Sequence, residues 1–298
     1  MNIYAPKYYM EFSCIADRCK HNCCIGWEID IDEDTYTYYK SIDGALGARL
    51  HKYISEDGDA PHFILDVKER CPFLNANGLC DLSLELGEDA LCQICTDHPR
   101  FRNYFDSRVE IGLGMCCEAA AELILKNSEK VSVVPISAEN SEMQLSAEEE
   151  AFFAFRDQVF SVLQNREKSI QKRIEMLCDT MDIALLQKSI SEWVEFYAAL
   201  EQLDVSWMQR LQVAQKNSYT PPEIMSEQLL CYFVYRHLAD GMYDGNLQQR
   251  LALAIHATLF IGTLAEDETD FLELCRMYSA EIEYSQENME AMLNVCMS

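Results

Sequence analysis

Apolar side chains in the second half of the chain recur three and four residues apart, which is the spacing of an amphipathic helix. No glycine occurs between Gly114 and Gly241, and no proline occurs between Pro135 and Pro221, so few residues there oppose helix formation. The predicted helices cover the apolar sets at residues 151–163, 170–181, 193–200, 229–238, 247–264 and 269–295. The pattern therefore predicts an all-helical domain over residues 147–298.

The first part of the chain has a shorter and less regular pattern. Apolar and acidic residues alternate from Trp27 to Asp32, which predicts a short strand or an extended segment. A helix is expected from Glu33 to about Lys52, with a possible interruption near Gly44 and Gly47. The other expected elements are a strand at 63–67, a hairpin turn at 75–78, a helix at 81–95, an extended segment at 109–114 and a helix at 119–125. A segment rich in serine, glutamate and valine follows, so we predict domains at residues 1–128 and 147–298, joined by a linker at 129–146.

Cysteine is the residue type that distinguishes the first part of the chain. Of the 14 cysteines, ten precede residue 120, namely Cys14, Cys19, Cys23, Cys24, Cys71, Cys80, Cys92, Cys95, Cys116 and Cys117. The first residues show neither the basic flank nor the apolar core of a secretory signal peptide, so we expect a cytoplasmic protein, in which disulfides are rare. Cys178, Cys231, Cys275 and Cys296 lie among apolar residues at helical spacing and are expected to be buried.

Crowded thiolates repel one another and are ligands for zinc and for iron–sulfur clusters, so we favour a metal site over a disulfide framework. Cys92 and Cys95 form a CxxC pair, but the chain lacks the two such pairs that many structural zinc sites contain. Irregular spacing is more common among iron–sulfur proteins, and both metals stay open on the spacing alone. We predict a mainly α fold in which a cysteine-rich metal-binding N-terminal region with short strands and loops packs on an all-helical C-terminal domain.

The charge of the chain excludes some classes of partner. A net charge of −26 repels nucleic acid and anionic membrane surfaces, whereas a lysine-bearing partner suits it. The longest apolar run, residues 251–264, contains His256 and is shorter than the roughly 18 residues that a membrane-spanning helix needs. We therefore expect neither nucleic acid nor a membrane among the partners.

Several basic side chains are candidates for binding an anionic group. Arg100 and Arg102 follow the CxxC pair and could hold a carboxylate by paired hydrogen bonds, or could pair with the abundant acidic residues of the chain. Arg236 and His237 belong to a stripe of polar and aromatic residues. This stripe is explained either by core packing or by a cleft that the two side chains line.

Two histidines and three carboxylates lie in or beside the cysteine-rich stretches. His21 and His98 could complete a coordination shell or lie outside it. Glu28, Asp30 and Asp32 alternate on one face of the predicted strand, where a carboxylate could orient an ammonium group or remove its proton. Solvated strand residues are the alternative interpretation of these carboxylates.

Several motifs together resemble the flagellin lysine N-methylase family, within a wider group of cysteine-rich proteins that chelate zinc or iron. The motifs are Cys-Cys-x-Gly-Trp-x-Ile-x-Ile-Asp, Cys-Pro-Phe-Leu, Gly-Leu-Cys, Cys-x-x-Cys-x-x-His-Pro-Arg and Cys-x-Glu-Ala-Ala. The matching positions are Cys14, Cys19, Cys23, Cys24, Gly26, Trp27, Asp32, Cys71, Cys80, Cys92, Cys95, Pro99, Arg100 and Cys116. Residues 232–237 and 281–288 also look like the helical half of that family. Cys117 stands where the family typically has proline, so we rank it last among the ten as a ligand.

The resemblance implies a reaction, two cofactors and a protein partner. S-adenosylmethionine would donate a methyl group to the ε-amino group of flagellin lysines in the cytoplasm. An iron–sulfur cluster of the [4Fe–4S] type, with zinc as the alternative, would be held by Cys14, Cys19, Cys23, Cys24, Cys71, Cys80, Cys92, Cys95 and Cys116. Arg100 and Arg236 are the expected cofactor-binding residues. The alternative function is a non-enzymatic protein that binds zinc or iron, or a zinc-stapled interaction module.

Overall fold

The structure is a computed structural model that describes residues 2–137, 144–214 and 217–296. It divides the chain into two compact units. The cysteine-rich unit comprises Ser13–Arg100, and the helical unit comprises Met1–Phe12 together with Phe101–Ser298. Within the described ranges, no helix combines the length and the apolar character that a bilayer crossing requires.

The regular elements are mainly helices. The strands are β1 (Asn2–Pro6), β2 (Ile54–Ser55), β3 (His62–Phe63), β4 (Arg100–Tyr104), β5 (Arg108–Leu113) and β6 (Val133–Ser137). The α-helices are α1 (Glu33–Lys40), α2 (Gly44–Tyr53), α3 (Asp81–Leu86), α4 (Gln93–Asp97), α5 (Glu118–Leu125), α6 (Ala147–Leu163), α7 (Ile170–Met181), α8 (Ile190–Ala198), α9 (Val205–Gln212), α10 (Glu223–His237), α11 (Gly241–Asp244), α12 (Leu247–Leu264), α13 (Glu268–Tyr278) and α14 (Gln286–Cys296). The prediction of a mainly α fold is confirmed.

The observed units follow a different division from the predicted domains and linker. Within the predicted linker at 129–146, Val133–Ser137 is strand β6, while residues 138–143 lie outside the described residues. β6 pairs antiparallel with β1, and β1 pairs in parallel with β5, where Ile3 lies opposite Val109. The sheet order is β4-β5-β1-β6. Because of this backbone pairing, residues 2–6 belong to the helical unit.

Beyond residue 147, the described elements are helices, as the apolar pattern predicts, and capping residues explain where several begin. Ser146 and Ser189 each form a capping box with a glutamate three residues later, at the starts of α6 and α8. Pro222 directly precedes α10, which agrees with the tolerance of a helix start for proline. α9 was not predicted, because its eight residues are too few to show a clear period.

Two predicted elements of the cysteine-rich unit take a different form from a regular helix or strand. The helix expected over residues 81–95 is divided into α3 and α4, because Gly87 adopts a φ of +91° that no helix contains. The alternating segment 27–32 is not a strand in the structure. Isolated backbone contacts hold it instead, including hydrogen bonds from Ile31 N to Pro61 O at 2.7 Å and from Phe63 N to Ile29 O at 3.1 Å.

Helix α10 lies at the centre of the helical unit. Every residue from Met225 to His237 is buried, so the helix is enclosed on all sides and lacks the exposed polar face of a surface helix. Helices α12, α5 and α6 pack against it. This enclosure carries several polar side chains of α10 into the core of the unit.

The cysteine-rich unit has a smaller core of its own. The rings of Phe63 and Phe73 lie 5.0 Å apart, and Tyr39 stacks on Phe63 at 6.2 Å between ring centroids. Cys71 and Cys92 are buried within the same core. Two of the predicted metal ligands are therefore positioned by apolar packing.

Candidate functional site

Thiol side chains from four separate stretches of the cysteine-rich unit come close enough to affect one another's ionisation. We call this group the thiol cluster, and its members are Cys23, Cys24, Cys71, Cys80, Cys92 and Cys95. It includes six of the nine cysteines that the sequence analysis assigns as metal ligands.

Short backbone contacts build the thiol cluster. Cys71 N donates a hydrogen bond to Cys24 O at 2.8 Å, which joins the first and second stretches. Cys80 pairs with Leu74 across the turn that the sequence predicts at residues 75–78. Cys95 N donates to Cys92 O at 3.0 Å at the start of α4, and the two sulfur atoms lie 3.3 Å apart. The turn and the helix start thus bring distant cysteines together.

Ionisation of several of these thiols at once is unfavourable. A hydrogen bond from Cys24 lowers the pKa of Cys23 to about 7, while the same contact, burial and the charges of neighbouring thiols raise the pKa of Cys24. Burial and nearby thiols raise the pKa of Cys71 to about 11. The contact with Cys92 raises the pKa of Cys95, and burial adds to this effect. A bound cation would offset the repulsion among the thiolates.

The thiol side chains of the cluster are of the type that binds soft metals. Their arrangement in the structure is not that of a complete metal site. Within residues 2–137, 144–214 and 217–296, no three histidine, cysteine or acidic side chains are arranged as metal ligands. Six thiols nevertheless belong to one small unit, and thiolates are the ligands that zinc and iron–sulfur clusters prefer. The metal site stays a prediction, and the side chains would have to shift to form it.

The remaining predicted ligands make other contacts. Cys14 Sγ accepts a hydrogen bond from Ala16 N at 3.4 Å, and Cys19 Sγ donates to His21 O at 3.3 Å. Cys116 belongs to the helical unit. These two hydrogen bonds are local, because each joins residues two positions apart in the same loop.

His98 and Arg100 follow the CxxC pair directly. Burial, with a smaller effect of Arg100, lowers the pKa of His98 to about 4, so its ring is neutral at neutral pH. The His98 ring lies 5.9 Å from that of Trp27. Arg100 Nη1 donates a hydrogen bond to Thr96 O at 2.9 Å. The predicted role of Arg100 in binding an anionic cofactor stays a prediction.

Asp32, one of the three alternating carboxylates, connects two helix starts. Its Oδ1 accepts a hydrogen bond from Thr35 N at 3.0 Å as the N-cap of α1, and its Oδ2 accepts from Gln93 N at 2.8 Å at the first residue of α4. Burial opposes its ionisation, but these backbone donors outweigh burial and lower the pKa of Asp32. The carboxylate thus holds the helix start that carries Cys92 and is not available as a base.

Replacing Asp32 with alanine is expected to lower the free energy of unfolding by about 1–2 kcal/mol, because two helix starts lose their side-chain acceptor. Urea titration followed by circular dichroism measures this change. Asp34→Ala is the matched control, since Asp34 lies exposed in the same first turn and shares only the interaction with the helix dipole. Equal losses in the two variants would contradict the double capping role.

A second polar group lies inside the helical unit. We call it the buried charge cluster, and it consists of Tyr232, Arg236 and His237 of α10 with Glu283 from the π-helical turn Ser279–Glu283. Glu283 Oε1 lies 2.5 Å from His237 Nε2 and 3.4 Å from Arg236 Nε. Glu283 Oε2 accepts a hydrogen bond from the Tyr232 hydroxyl at 2.8 Å. The carboxylate thus has three partners from one helix.

Glu283 is ionised although its side chain is completely shielded from solvent. Burial alone would raise the pKa of Glu283, but Arg236 and His237 outweigh burial and hold it at about 2. Burial lowers the pKa of His237 against the opposing effect of Glu283. Because the carboxylate is fully paired, it is suited to positioning Arg236 and Tyr232 and not to accepting a proton from a substrate.

The outer side of the buried charge cluster is formed by aromatic rings and a thiol. The Arg236 guanidinium lies 5.0 Å from the ring centroid of Phe101 and 4.9 Å from that of Tyr284. Tyr284 is 47% exposed. Burial raises the pKa of Cys116 to about 12, against the opposing effects of Tyr284 and Arg236. Cys116 is therefore protonated at neutral pH in the absence of a metal.

The sequence pattern indicates Arg236 and His237 as candidates but does not indicate their carboxylate partner. The abundance of acidic residues near the end of the chain hides Glu283, because nothing in the local pattern distinguishes it from exposed neighbours such as Glu287. The structure pairs Arg236 with Glu283 in the core of the unit. The role of Arg236 in cofactor binding stays a prediction.

Three curated proteins of Salmonella are similar to the chain. It is 26% identical over 148 residues to proteins named Lysine-N-methylase from Salmonella choleraesuis and Salmonella typhimurium, and the match covers 45% of this chain and 35% of each relative. It is also 26% identical over 141 residues to the flagellar biosynthetic protein FliU of Salmonella muenchen, which covers 45% of this chain and 82% of that protein. The resemblance to the flagellin lysine N-methylase family is confirmed by these relatives.

The match leaves most of the two lysine-N-methylases uncovered. The chain spans about a third of the length of the two lysine-N-methylases, since the matched stretch is 35% of each. No family model and no solved structure matches the chain. Membership of the wider cysteine-rich chelating group stays a prediction.

Proposed function

We propose that the chain transfers a methyl group from S-adenosylmethionine to lysine ε-amino groups, and that cytoplasmic flagellin is its protein substrate. The similarity to two proteins named Lysine-N-methylase carries this proposal, and the flagellar name of the third relative supports the choice of flagellin. The net charge of −26 supports it further, because an acidic surface attracts a lysine-bearing partner over a distance of roughly a Debye length.

We propose that the thiol cluster holds an iron–sulfur cluster, with zinc as the alternative metal. The support is the set of six thiols and the mutual repulsion that their ionisation would create. Cys23, Cys24, Cys71, Cys80, Cys92 and Cys95 are the residues that would hold the metal. When bound, an iron–sulfur cluster can stabilise a fold or ligate a substrate at an open iron position.

Methyl transfer to lysine requires a neutral amine, whereas the free ε-amino group has a pKa of about 10.4 and is protonated in water. Glu28 and Asp30 are exposed carboxylates of the alternating segment, and Asp32 of the same segment is occupied as a cap. We propose that Glu28 and Asp30 attract the substrate ammonium group. After one of these carboxylates or water has taken the ammonium proton, the nitrogen lone pair would form a bond to the methyl carbon while the carbon–sulfur bond breaks and S-adenosylhomocysteine leaves.

The test starts from full-length protein purified without oxygen. Iron, zinc and acid-labile sulfide are measured per chain, and binding of S-adenosylmethionine is measured by calorimetry on the same sample. Purified bacterial flagellin is then incubated with the protein and with S-adenosylmethionine carrying an isotopically labelled methyl group. We expect labelled lysine in the flagellin digest by mass spectrometry.

Three outcomes separate the proposed enzyme from its alternatives. Label on lysine together with S-adenosylmethionine binding supports the methyltransferase. Bound zinc without sulfide, without S-adenosylmethionine binding and without label identifies a zinc-stapled module or metal-binding protein. Binding of S-adenosylmethionine without label on flagellin rejects flagellin as the substrate, and the labelled methyl donor then identifies another lysine-bearing protein.

A further inference from the structure

Two tyrosines of the helical unit are exposed side by side, outside the thiol cluster and the buried charge cluster. Tyr104, the last residue of β4, is 65% exposed, and Tyr243 of α11 is 64% exposed. The Tyr243 hydroxyl donates a hydrogen bond to Tyr104 O at 2.8 Å, although the two residues lie 139 positions apart in the chain. Exposed tyrosines that share one surface are typical of sites where proteins bind one another.

The short helix α11, which carries Tyr243, is held in place by an arginine beneath it. Arg250 of α12 is only 7% exposed, and its guanidinium donates to Asp240 Oδ2 at 3.3 Å and to Asp244 Oδ2 at 2.5 Å. Asp240 directly precedes α11 and Asp244 ends it. Both ends of the helix are thus fixed, so a partner that contacts Tyr243 does not have to order its backbone first.

The charges around Tyr243 are mainly negative. Burial raises the pKa of Tyr243, and the charges of Asp106, Glu149 and Asp240 add to this effect, so these three carboxylates lie near its hydroxyl. Asp106 and Asp240 are exposed, whereas Glu149 is buried. Arg250 supplies one positive charge against them. We call the two tyrosines together with Asp106 and Asp240 the tyrosine patch.

This combination of groups selects a cation. The face of an aromatic ring attracts a cation that lies within about 6 Å of the ring centroid, and a nearby carboxylate adds to the attraction. Lysine and arginine also have an apolar stem that can pack on the ring while the charged end reaches the carboxylate. An anionic partner would be repelled by Asp106 and Asp240. Arg102 lies two positions before Tyr104 on the same face of β4 and would repel a cation from that end of the patch.

We infer that the tyrosine patch is a docking surface for a basic segment of a partner protein. A lysine or arginine side chain of the partner packs on the ring of Tyr104 or Tyr243, and its charge pairs with Asp106 or Asp240. The net charge of −26 attracts such a segment before contact is made. This inference goes beyond the proposed function, because docking at the tyrosine patch requires neither the methyl donor nor a metal.

Fluorescence anisotropy with labelled synthetic peptides tests the inference on the full-length chain. The peptides have one length and one glycine–serine background, and they carry lysine, arginine or glutamine at the same positions. We expect the two basic peptides to bind more tightly than the glutamine peptide. Tyr104→Ala removes a ring but keeps the backbone oxygen that Tyr243 contacts, and we expect it to weaken the basic peptides about two- to fivefold. Tyr243→Phe keeps the second ring and is expected to bind like the native chain.

Matched variants separate docking at the patch from diffuse attraction by the net charge. Tyr38→Ala removes a tyrosine that is 44% exposed in the cysteine-rich unit, and it should leave peptide binding unchanged. Asp106→Asn should weaken the basic peptides, whereas Glu287→Gln removes one exposed charge elsewhere and should not.

Two results would overturn the inference. The first is equal affinity of the native chain for the basic and glutamine peptides, and the second is equal affinity of the native chain, Tyr104→Ala and Tyr38→Ala for the basic peptides. If Tyr104→Ala does not fold, as judged by circular dichroism, the comparison of Asp106→Asn with Glu287→Gln decides, and equal effects of these two variants reject the patch. A larger loss for one basic peptide in Tyr104→Ala supports the inference and identifies lysine or arginine as the side chain that the patch binds.

Discussion

Replacing Glu283 with glutamine is expected to lower the free energy of unfolding by about 3–5 kcal/mol, because a buried guanidinium loses its counter-charge. Arg236 is only 9% exposed and cannot turn to solvent without opening the core around α10. The glutamine amide has about the same size as the carboxylate. A loss of unfolding free energy would therefore result from the missing charge and not from a cavity. Urea titration of the full chain, followed by circular dichroism, measures the change.

The exposed residue Glu287 provides the control for this prediction. Glu287→Gln removes the same charge from the same region of sequence, and we expect its effect to stay within about 0.5 kcal/mol, as for most surface substitutions. A similar small effect of Glu283→Gln would show that solvent reaches Arg236 and that the buried charge cluster is not a closed group.

The stabilisation by Glu283 also has a defined pH dependence. Its pKa is about 2 in the folded protein, lower than its ordinary value of 4.5, because Arg236 and His237 outweigh the effect of burial. The stabilisation is therefore present in full above the ordinary value and is lost as the pH falls toward 2. The difference in unfolding free energy between the native chain and Glu283→Gln should narrow over that interval.

Replacing Cys92 and Cys95 together with serine is expected to remove the metal that we propose for the thiol cluster. The two sulfur atoms lie 3.3 Å apart, so one double substitution deletes two adjacent donors, and a serine hydroxyl is a poor ligand for iron or zinc. If a [4Fe–4S] cluster is present, iron and sulfide should fall from about four of each per chain to below about one. Metal analysis after anaerobic purification measures this loss.

Cys178→Ser is the control for the thiol substitutions. Cys178 lies on α7 of the helical unit and is not a member of the thiol cluster, so its replacement should leave the metal content unchanged. Circular dichroism establishes that each variant is folded before its metal is measured. Unchanged iron and sulfide in a folded Cys92 and Cys95 double variant would contradict the proposed ligand set.

Local patterns in the sequence were sufficient to predict most helices. The apolar spacing of residues 151–163 and 170–181 corresponds closely to α6 and α7, because helix formation there depends on period and capping within a few residues. The single helix expected over 81–95 was wrong, because the φ angle of Gly87 ends α3 and separates it from α4. The strand β6 was missed because it forms only by pairing with β1, more than 100 residues away in the chain.

The sequence by itself determined that thiols are concentrated before residue 120, that the second half is helical, and that the chain resembles a methylase family. Only the tertiary structure decided which thiols meet, because Cys24, Cys71 and Cys92 are joined by backbone contacts and apolar packing between distant stretches. It also decided that Glu283 is the partner of Arg236. Local spacing encodes periodic elements, whereas burial and charge pairing depend on which residues fold against one another, and no local pattern contains that information.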